Sequence, residues 1–224
     1  MTEGNYPHFY PYLYNPYNTT LEGQNWPSSP ATPQPPYNAL SITDPVWETI
    51  DPYPDLQALF HEFNQRFFSG MLPEMEVKWS TKMTRAAGMT HHLLGDNDNC
   101  VQCKIHLSQP ILELRPRRDT VESLLHEMIH AYLCVTKSKD PGDDHGPNFQ
   151  HLMGILNETL GTNIAIQHNF HKEVEALKKH QWECDGPCKK IVKRARNLAP
   201  SAKERWFQEH EQTCGGNFIK TSEP

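Results

Sequence analysis

Apolar residues recur along this chain with two periods, and the two mark different elements. From residue 119 onward they fall at Val121, Leu124, Leu125, Met128, Ile129, Tyr132 and Leu133, the three-and-four spacing of a helix with one packing face. Asp119-Thr120-Val121-Glu122 reads as an N-cap with a carboxylate three residues later, and Pro116 stands just upstream, so the helix is predicted to start near residue 119. Leu56, Leu59, Phe60, Phe63 and Phe67 predict an earlier amphipathic helix ended by Gly70. Gly146-Pro147 opens a third, through Phe149, Leu152, Met153, Leu156 and Leu160, which Gly161 stops. Alternation by twos appears at Met75/Val77/Trp79 and Cys103/Ile105/Leu107, and residues 83–92 offer a further strand. Helices packed on a small sheet, of α+β class, are the expected body of the chain.

The polar positions of the long helix carry the chemistry. His126-Glu127-Met128-Ile129-His130 sets two imidazoles one turn apart, so both can bind a single Zn²⁺, with Glu127 beside the open coordination position as a general base. At about 100° per residue the apolar stripe centres roughly 140° from the His126/His130 direction, so the helix should pack with one side and coordinate with the other. A catalytic zinc usually takes three protein ligands. His145 is the best third candidate, because Asp140-Pro141-Gly142-Asp143-Asp144 reverses the chain just before it and a helix entrance follows. His151, His168 and His171 compete. His61-Glu62-Phe63-Asn64-Gln65 begins like the zinc motif but ends in Gln, and reads as helix surface.

Composition divides the 224 residues unevenly. Residues 1–43 hold six of the eight tyrosines (Tyr6, Tyr10, Tyr12, Tyr14, Tyr17, Tyr37) and eight of the 19 prolines, with few aliphatics, the composition of a disordered segment. No basic n-region and no long apolar run points to secretion or a membrane, so a soluble intracellular protein is expected. The net charge of −6 hides an asymmetry: no Lys or Arg precedes Arg66, while seven of the 27 acids do. Between Lys178 and Arg205 nine basic residues face only Glu183, Asp185 and Glu204. A basic cluster on a neutral body suggests a polyanion, against the plainer reading of a solvated charged face.

Within that basic stretch lies a second ligand set. Cys184 and Cys188 flank a Gly-Pro knuckle, and His210 and Cys214 follow on a predicted helix that Ser201-Ala202-Lys203-Glu204 would cap. Paired soft ligands closed by a His/Cys pair suit a tetrahedral structural zinc, which would explain how a lobe too small for a core folds. A disulfide is the alternative, though thiols inside cells are normally reduced. Lys189, Lys190, Lys193, Arg194 and Arg196 are interleaved with Trp182, Trp206 and Phe207. Cations for phosphates and rings for unstacked bases suit a single-stranded or junction-containing nucleic acid, with Trp206 or Phe207 as the stacking platform. Cys100, Cys103 and Cys134 read as structural; Cys100 and Cys103 look like half a zinc site with no second pair.

Asp44-Pro45-Val46-Trp47, Val77-Lys78-Trp79-Ser80, Leu114-Arg115-Pro116-Arg117, Leu125-His126-Glu127-Met128-Ile129-His130-Ala131-Tyr132, His145-Gly146-Pro147 and Cys184-Asp185-Gly186-Pro187-Cys188 together resemble the Spartan family of SprT-like metalloproteases, over residues 44–219. The resemblance implies a zincin-like SprT metalloprotease domain at 44–180, a zinc-binding, DNA-contacting subdomain at 181–219 and a tail at 220–224. It implies a DNA-dependent metalloprotease of the nucleus and chromatin that degrades proteins covalently trapped on DNA and cleaves itself. His126, His130 and His145 match the family's catalytic zinc ligands and Glu127 its acid/base, so two Zn²⁺ per chain are expected, one catalytic and one structural. Only three residues separate Cys188 from Val192-Lys193-Arg194, a shorter segment than the family often has, which implies fewer base contacts there. The family's clamp, segregase and ubiquitin contacts need a C-terminal tail beyond Pro224 and are not expected of these residues. Two rival readings stand beside this one: a catalytically silent, zinc-stabilised DNA-binding adaptor, and a peptidase with no nucleic-acid role.

Overall fold

The computed structural model describes residues 40–96, 100–167 and 169–222. The Tyr/Pro-rich head as far as residue 39 therefore lies outside the described residues, as does His168. Two compact units form: one from residues up to 80, 88–107 and 115–167, the other from 81–87, 108–114 and 168 onward.

In the first unit, α1 (Trp47–Ile50) and α2 (Leu56–Phe67) precede strands β1 (Glu76–Ser80), β2 (Gly88–Leu94) and β3 (Cys100–Ser108). A short α3 (Gln109–Leu112) of the second unit separates β3 from α4 (Arg117–Val135) and α5 (Pro147–Leu160). The sheet order is β1-β3-β2, so β3 is central and β2 an edge. Asp55 caps α2 by accepting from the backbone N–H of Gln57 and Ala58 at 2.9 and 3.1 Å. The α2 apolar face supplies Phe60, Phe63 and Phe67 to the core, and His61 and Glu62 stay exposed as the pattern predicts. After α2 the chain turns through Ser69 and Gly70, both at positive φ. Buried Asn64 holds that turn, accepting from Leu72 N–H at 3.1 Å and donating to Leu72 C=O at 2.8 Å.

The α4 helix departs from expectation in two ways. It begins at Arg117, with Pro116 as the N-cap residue, so Asp119 lies in the first turn and pairs with Arg115 at 3.0 Å. It is also not half-exposed: 15 of its 19 residues are buried, polar ones included. Its apolar stripe meets the core, where Leu124, Leu125, Met128 and Ile129 are fully enclosed with Ile105, Leu107, Phe149 and Leu156. The opposite side is covered too, by a chain segment that hydrophobic periodicity does not register. Arg117 anchors the N-terminal approach, donating to the Asp51 carboxylate at 3.0 Å and lying over the Trp47 ring.

The second unit carries α6 (His171–Ala176), β4 (His180–Cys184), β5 (Ile191–Arg194), α7 (Arg205–Thr213) and β6 (Phe218–Ser222), with an antiparallel sheet in the order β5-β4-β6. Trp182 on the central strand is its largest buried ring. Ser201 and Glu204 form a turn ahead of α7 rather than a full capping box: Glu204 is the N-cap residue, and its carboxylate accepts from Ser201 N–H at 3.3 Å. Among the described residues no helix is long and apolar enough to cross a membrane.

Replacing Asn64 with Ala strands the buried N–H and C=O of Leu72, so it should cost about 2–4 kcal/mol of stability. Urea unfolding checks this, and a loss below about 0.5 kcal/mol would show that the turn does not depend on that amide.

Candidate active site and candidate metal centre

On α4, His126 and His130 project together, and the loop before α5 brings His145 to them. The Nε2 atoms of His130 and His145 each lie 3.1 Å from Nε2 of His126. Nitrogens 2.0–2.1 Å from a tetrahedral Zn²⁺ would stand roughly 3.3 Å apart, so the three imidazoles fit one ion with little movement. Phe149 floors the cluster, its ring 4.7 to 4.9 Å from each of the three. Burial, helped by the His145 charge, pushes His130 down to about 4, which keeps it in the neutral, ligating form at pH 7. Of the competitors, His151 and His171 are exposed and outside this cluster.

His145 is held by its loop. Its backbone N–H donates to Asp143 Oδ1 at 2.9 Å, and its C=O accepts from the Gln150 amide at 2.9 Å. Asp140 accepts from the backbone and side-chain N–H of Asn148, at 2.8 and 3.1 Å. Gly146 makes this approach possible, since a Cβ there would stand 2.5 Å from Asp140 Cβ.

Residues 161–165 orient His126 from outside the motif. Along α4, Arg118 donates to Gly161 C=O at 2.9 Å, Glu122 accepts from Asn163 N–H at 2.7 Å, and His126 Nδ1 meets Ala165 C=O at 3.0 Å. Steps of four on a helix and two on an extended chain both advance about 6 Å, so the rungs stay in register. The alternate residues of the segment turn to Asn157 of α5, which binds Thr162 Oγ1, Ile164 N–H and Ile164 C=O at 2.7 to 2.9 Å. Donation from Nδ1 to Ala165 leaves the Nε2 lone pair of His126 facing the cluster. The motif spacing does not point to Glu122, Asn157 or Ala165, because each acts through this non-periodic segment.

Glu127, between the two helix histidines, is buried, and burial pushes its carboxyl up to about 7, against the pull of the Thr90 hydroxyl. Thr90 on β2 lies 2.7 Å from Oε2 and 3.0 Å from the Glu127 carbonyl. Gly88 leaves room for the carboxylate: a Cβ there would stand 2.6 Å from Oε1. A glycine in a strand signals such a close approach, a cue the sequence offers at Gly88.

The second cluster lies in the second unit. Cys184 and Cys214 place their sulfurs 3.7 Å apart, near the roughly 3.8 Å expected of two thiolates on one zinc. His210 Nε2 stands 3.2 Å from Cys184 Sγ and 3.4 Å from Cys188 Sγ. Backbone N–H donors at Cys188 and Gly216 hold the Cys214 thiol down to about 6. Gly186 and Gly216 pack the two ligand loops together; a Cβ at Gly216 would sit 2.5 Å from Cys184 Sγ. Trp206 and Phe207 are half-buried and gather with Phe218 around His210, and Lys190 Nζ lies 4.1 Å above the Trp206 ring. Lys189, Lys190, Lys193 and Arg196 are exposed, whereas Arg194 is drawn into an ion pair with Glu204 at 2.6 Å. Arg196 also donates to Lys82 C=O at 3.3 Å.

The SprT-like family model matches residues 56–168, half of the chain and all of the histidine cluster. The chain belongs to the SprT-like family. A Spartan-like zinc binding domain model matches residues 179–220, which hold the Cys/His cluster. The SprT-like chain is 49% identical over 191 residues to the DNA-dependent metalloprotease SPRTN of Xenopus tropicalis, covering 83% of this chain and 43% of that protein. It is 48% identical over 192 residues to the SPRTN of Homo sapiens, covering 83% and 38%. With the DNA-dependent metalloprotease dvc-1 of Caenorhabditis elegans it shares 49% over 191 residues, 82% and 51%. The chain thus spans 38% to 51% of these relatives' lengths.

Replacing Glu122 with Ala removes the middle rung and should weaken zinc binding at the histidine cluster about 10- to 100-fold while leaving the Cys/His site unchanged. Competition with a zinc chelator measures this, and unchanged affinity at both sites would remove the orienting role given to residues 161–165.

Proposed function

We propose that this chain is a DNA-dependent zinc metalloendopeptidase of the nucleus and chromatin, acting on DNA-bound proteins, covalent DNA–protein crosslinks among them, and on itself. The observation that carries the reading is the convergence of three imidazole Nε2 atoms beside a buried carboxylate whose acidity is tuned toward neutrality. A zinc ion held by His126, His130 and His145 would polarise the scissile carbonyl and acidify a bound water. Glu127 takes the proton from the attacking water and passes it to the departing amine. Thr90 steadies that carboxylate through Oε2, and Gly88 keeps the wall beside Oε1 open.

Substrate enters as an extended strand. Among the described residues β2 pairs only with β3, so its other edge has main-chain groups free for an added strand, which supplies affinity with little side-chain selectivity. Selectivity then comes from location. Cys184, Cys188, His210 and Cys214 hold a structural zinc that folds the second lobe, and Lys189, Lys190, Lys193 and Arg196 meet phosphates of single-stranded or junction-containing DNA. Trp206 and Phe207 offer partly exposed rings for stacking, while Arg194 braces the lobe through Glu204.

Cleavage of a DNA-bound protein should be fast with single-stranded DNA and slow without it; equal rates would remove the DNA dependence and favour a peptidase with no nucleic-acid role. The Glu127→Gln chain should lose about 10²- to 10⁴-fold in rate with DNA affinity intact, and an inert wild type would favour the adaptor reading. Substituting Ala at Lys189, Lys190 and Lys193 should flatten the salt dependence of binding, by about 0.7 in log–log slope for each phosphate that is no longer neutralised. Because the Thr90 hydroxyl holds Glu127 down, Thr90→Val raises its pKa, and the acid limb of the pH–rate profile should move to higher pH. An unmoved limb would mean that Glu127 is not the titrating base.

A further inference from the structure

Cys100, Cys103 and Cys134 come together away from both clusters described above. Three residues along a regular strand would put Cys100 and Cys103 on opposite faces. A bulge in β3 changes that: Leu93 pairs with Gln102 but Leu94 with Cys100, so Val101 is the extra residue and Cys100 returns to the face of Cys103. Their sulfurs lie 2.9 Å apart. Cys134 reaches the same point from α4, one turn beyond His130, and all three sulfurs lie within 4.8 Å of one another. Cys103 and Cys134 are buried, whereas Cys100 is half-exposed. Cys100 and Cys103 line a cavity of about 640 Å³ whose wall includes Glu74 and Glu76, so cations have a path to the sulfurs.

We propose that these three cysteines form a thiolate site for a soft cation, Cu(I), bound in trigonal coordination between β3 and α4. Three sulfurs about 2.3 Å from one ion would stand roughly 4 Å apart, so Cys100 and Cys103, now 2.9 Å apart, would separate by about 1 Å with all three still inside the 4.8 Å that bounds them. Structural zinc takes four protein ligands, and among the described residues no fourth His, Cys, Asp or Glu joins these three. Three thiolates without a fourth donor favour the softer ion. On binding, each S–H gives its proton to solvent as its sulfur–metal bond forms, and no electron is transferred. The alternative use of such a cluster, a Cys100–Cys103 disulfide, needs a reactive thiolate. It also needs a two-electron oxidant, which binding of Cu(I) does not, and it leaves Cys134 outside the bond although its sulfur lies within 4.8 Å of the other two.

The test uses the full, zinc-loaded chain, titrated with Cu(I) without oxygen against a chromophoric Cu(I) chelator, with retained zinc measured in parallel. Wild type should take up about one more Cu(I) per chain than Cys134→Ser or Cys100→Ser, with zinc content unchanged and a thiolate-to-copper absorption band in the ultraviolet. Cys100→Ser, at a half-exposed position, keeps the comparison valid if the buried hydroxyl of Cys134→Ser unfolds the chain. Equal uptake by wild type and Cys100→Ser would overturn the proposal. So would uptake matched by zinc loss, which places the copper at Cys184 and its neighbours, or a Cys100–Cys103 disulfide in the anaerobic protein.

Discussion

A helix buried nearly all round, yet lined with histidine and carboxylate side chains, is the constraint on which the rest of the first unit depends. Burying such groups is costly unless each finds a partner. On α4 the partners come from three directions: residues 161–165 serve Arg118, Glu122 and His126, Thr90 serves Glu127, and Asp51 serves Arg117. The same bonds that satisfy the helix also aim its chemistry. His126 is fixed in tautomer by the carbonyl that solvates it, and Glu127 is kept dry enough to hold a proton near neutrality yet is drawn back by one hydroxyl.

Glycines serve both clusters through the same physical requirement, close approach. Gly88 admits the Glu127 carboxylate, Gly146 admits Asp140 beneath the His145 loop, and Gly186 and Gly216 let two ligand loops touch behind Cys184 and Cys214. None of these four is needed for a left-handed backbone; what they supply is the missing Cβ. The two clusters differ in ligand hardness. Imidazoles beside a carboxylate suit an ion that acts on a peptide bond, and thiolates around His210 suit one that holds a small lobe together.

Much of this was legible in the sequence, because periodicity reports packing and motif spacing reports ligands. The α2, α4 and α5 helices, the β1 and β3 strands, the three histidines and the Cys184 to Cys214 set all announce themselves that way. Residues 161–165 do not, since a segment that binds α4 and α5 by backbone groups has no apolar period to read. The one-sided α4 expected from its apolar stripe failed for the same reason: its polar face is buried against backbone, which hydropathy does not register. Cys134 read only as structural, because it takes the β3 bulge to reveal that it shares a point in space with Cys100 and Cys103. Arg194 looked like one more basic residue, and its pairing with Glu204 depends on a contact across ten positions.

The central claim is that His126, His130 and His145 form a three-imidazole zinc site beside Glu127, distinct from a second zinc among Cys184, Cys188, His210 and Cys214. Anomalous diffraction at the zinc edge, from crystals of the zinc-loaded chain, tests it most directly. The expected map has one peak about 2.0–2.1 Å from the three Nε2 atoms and another about 2.3 Å from the three sulfurs. A map with density only at the cysteines, in crystals grown with zinc in excess, would contradict it.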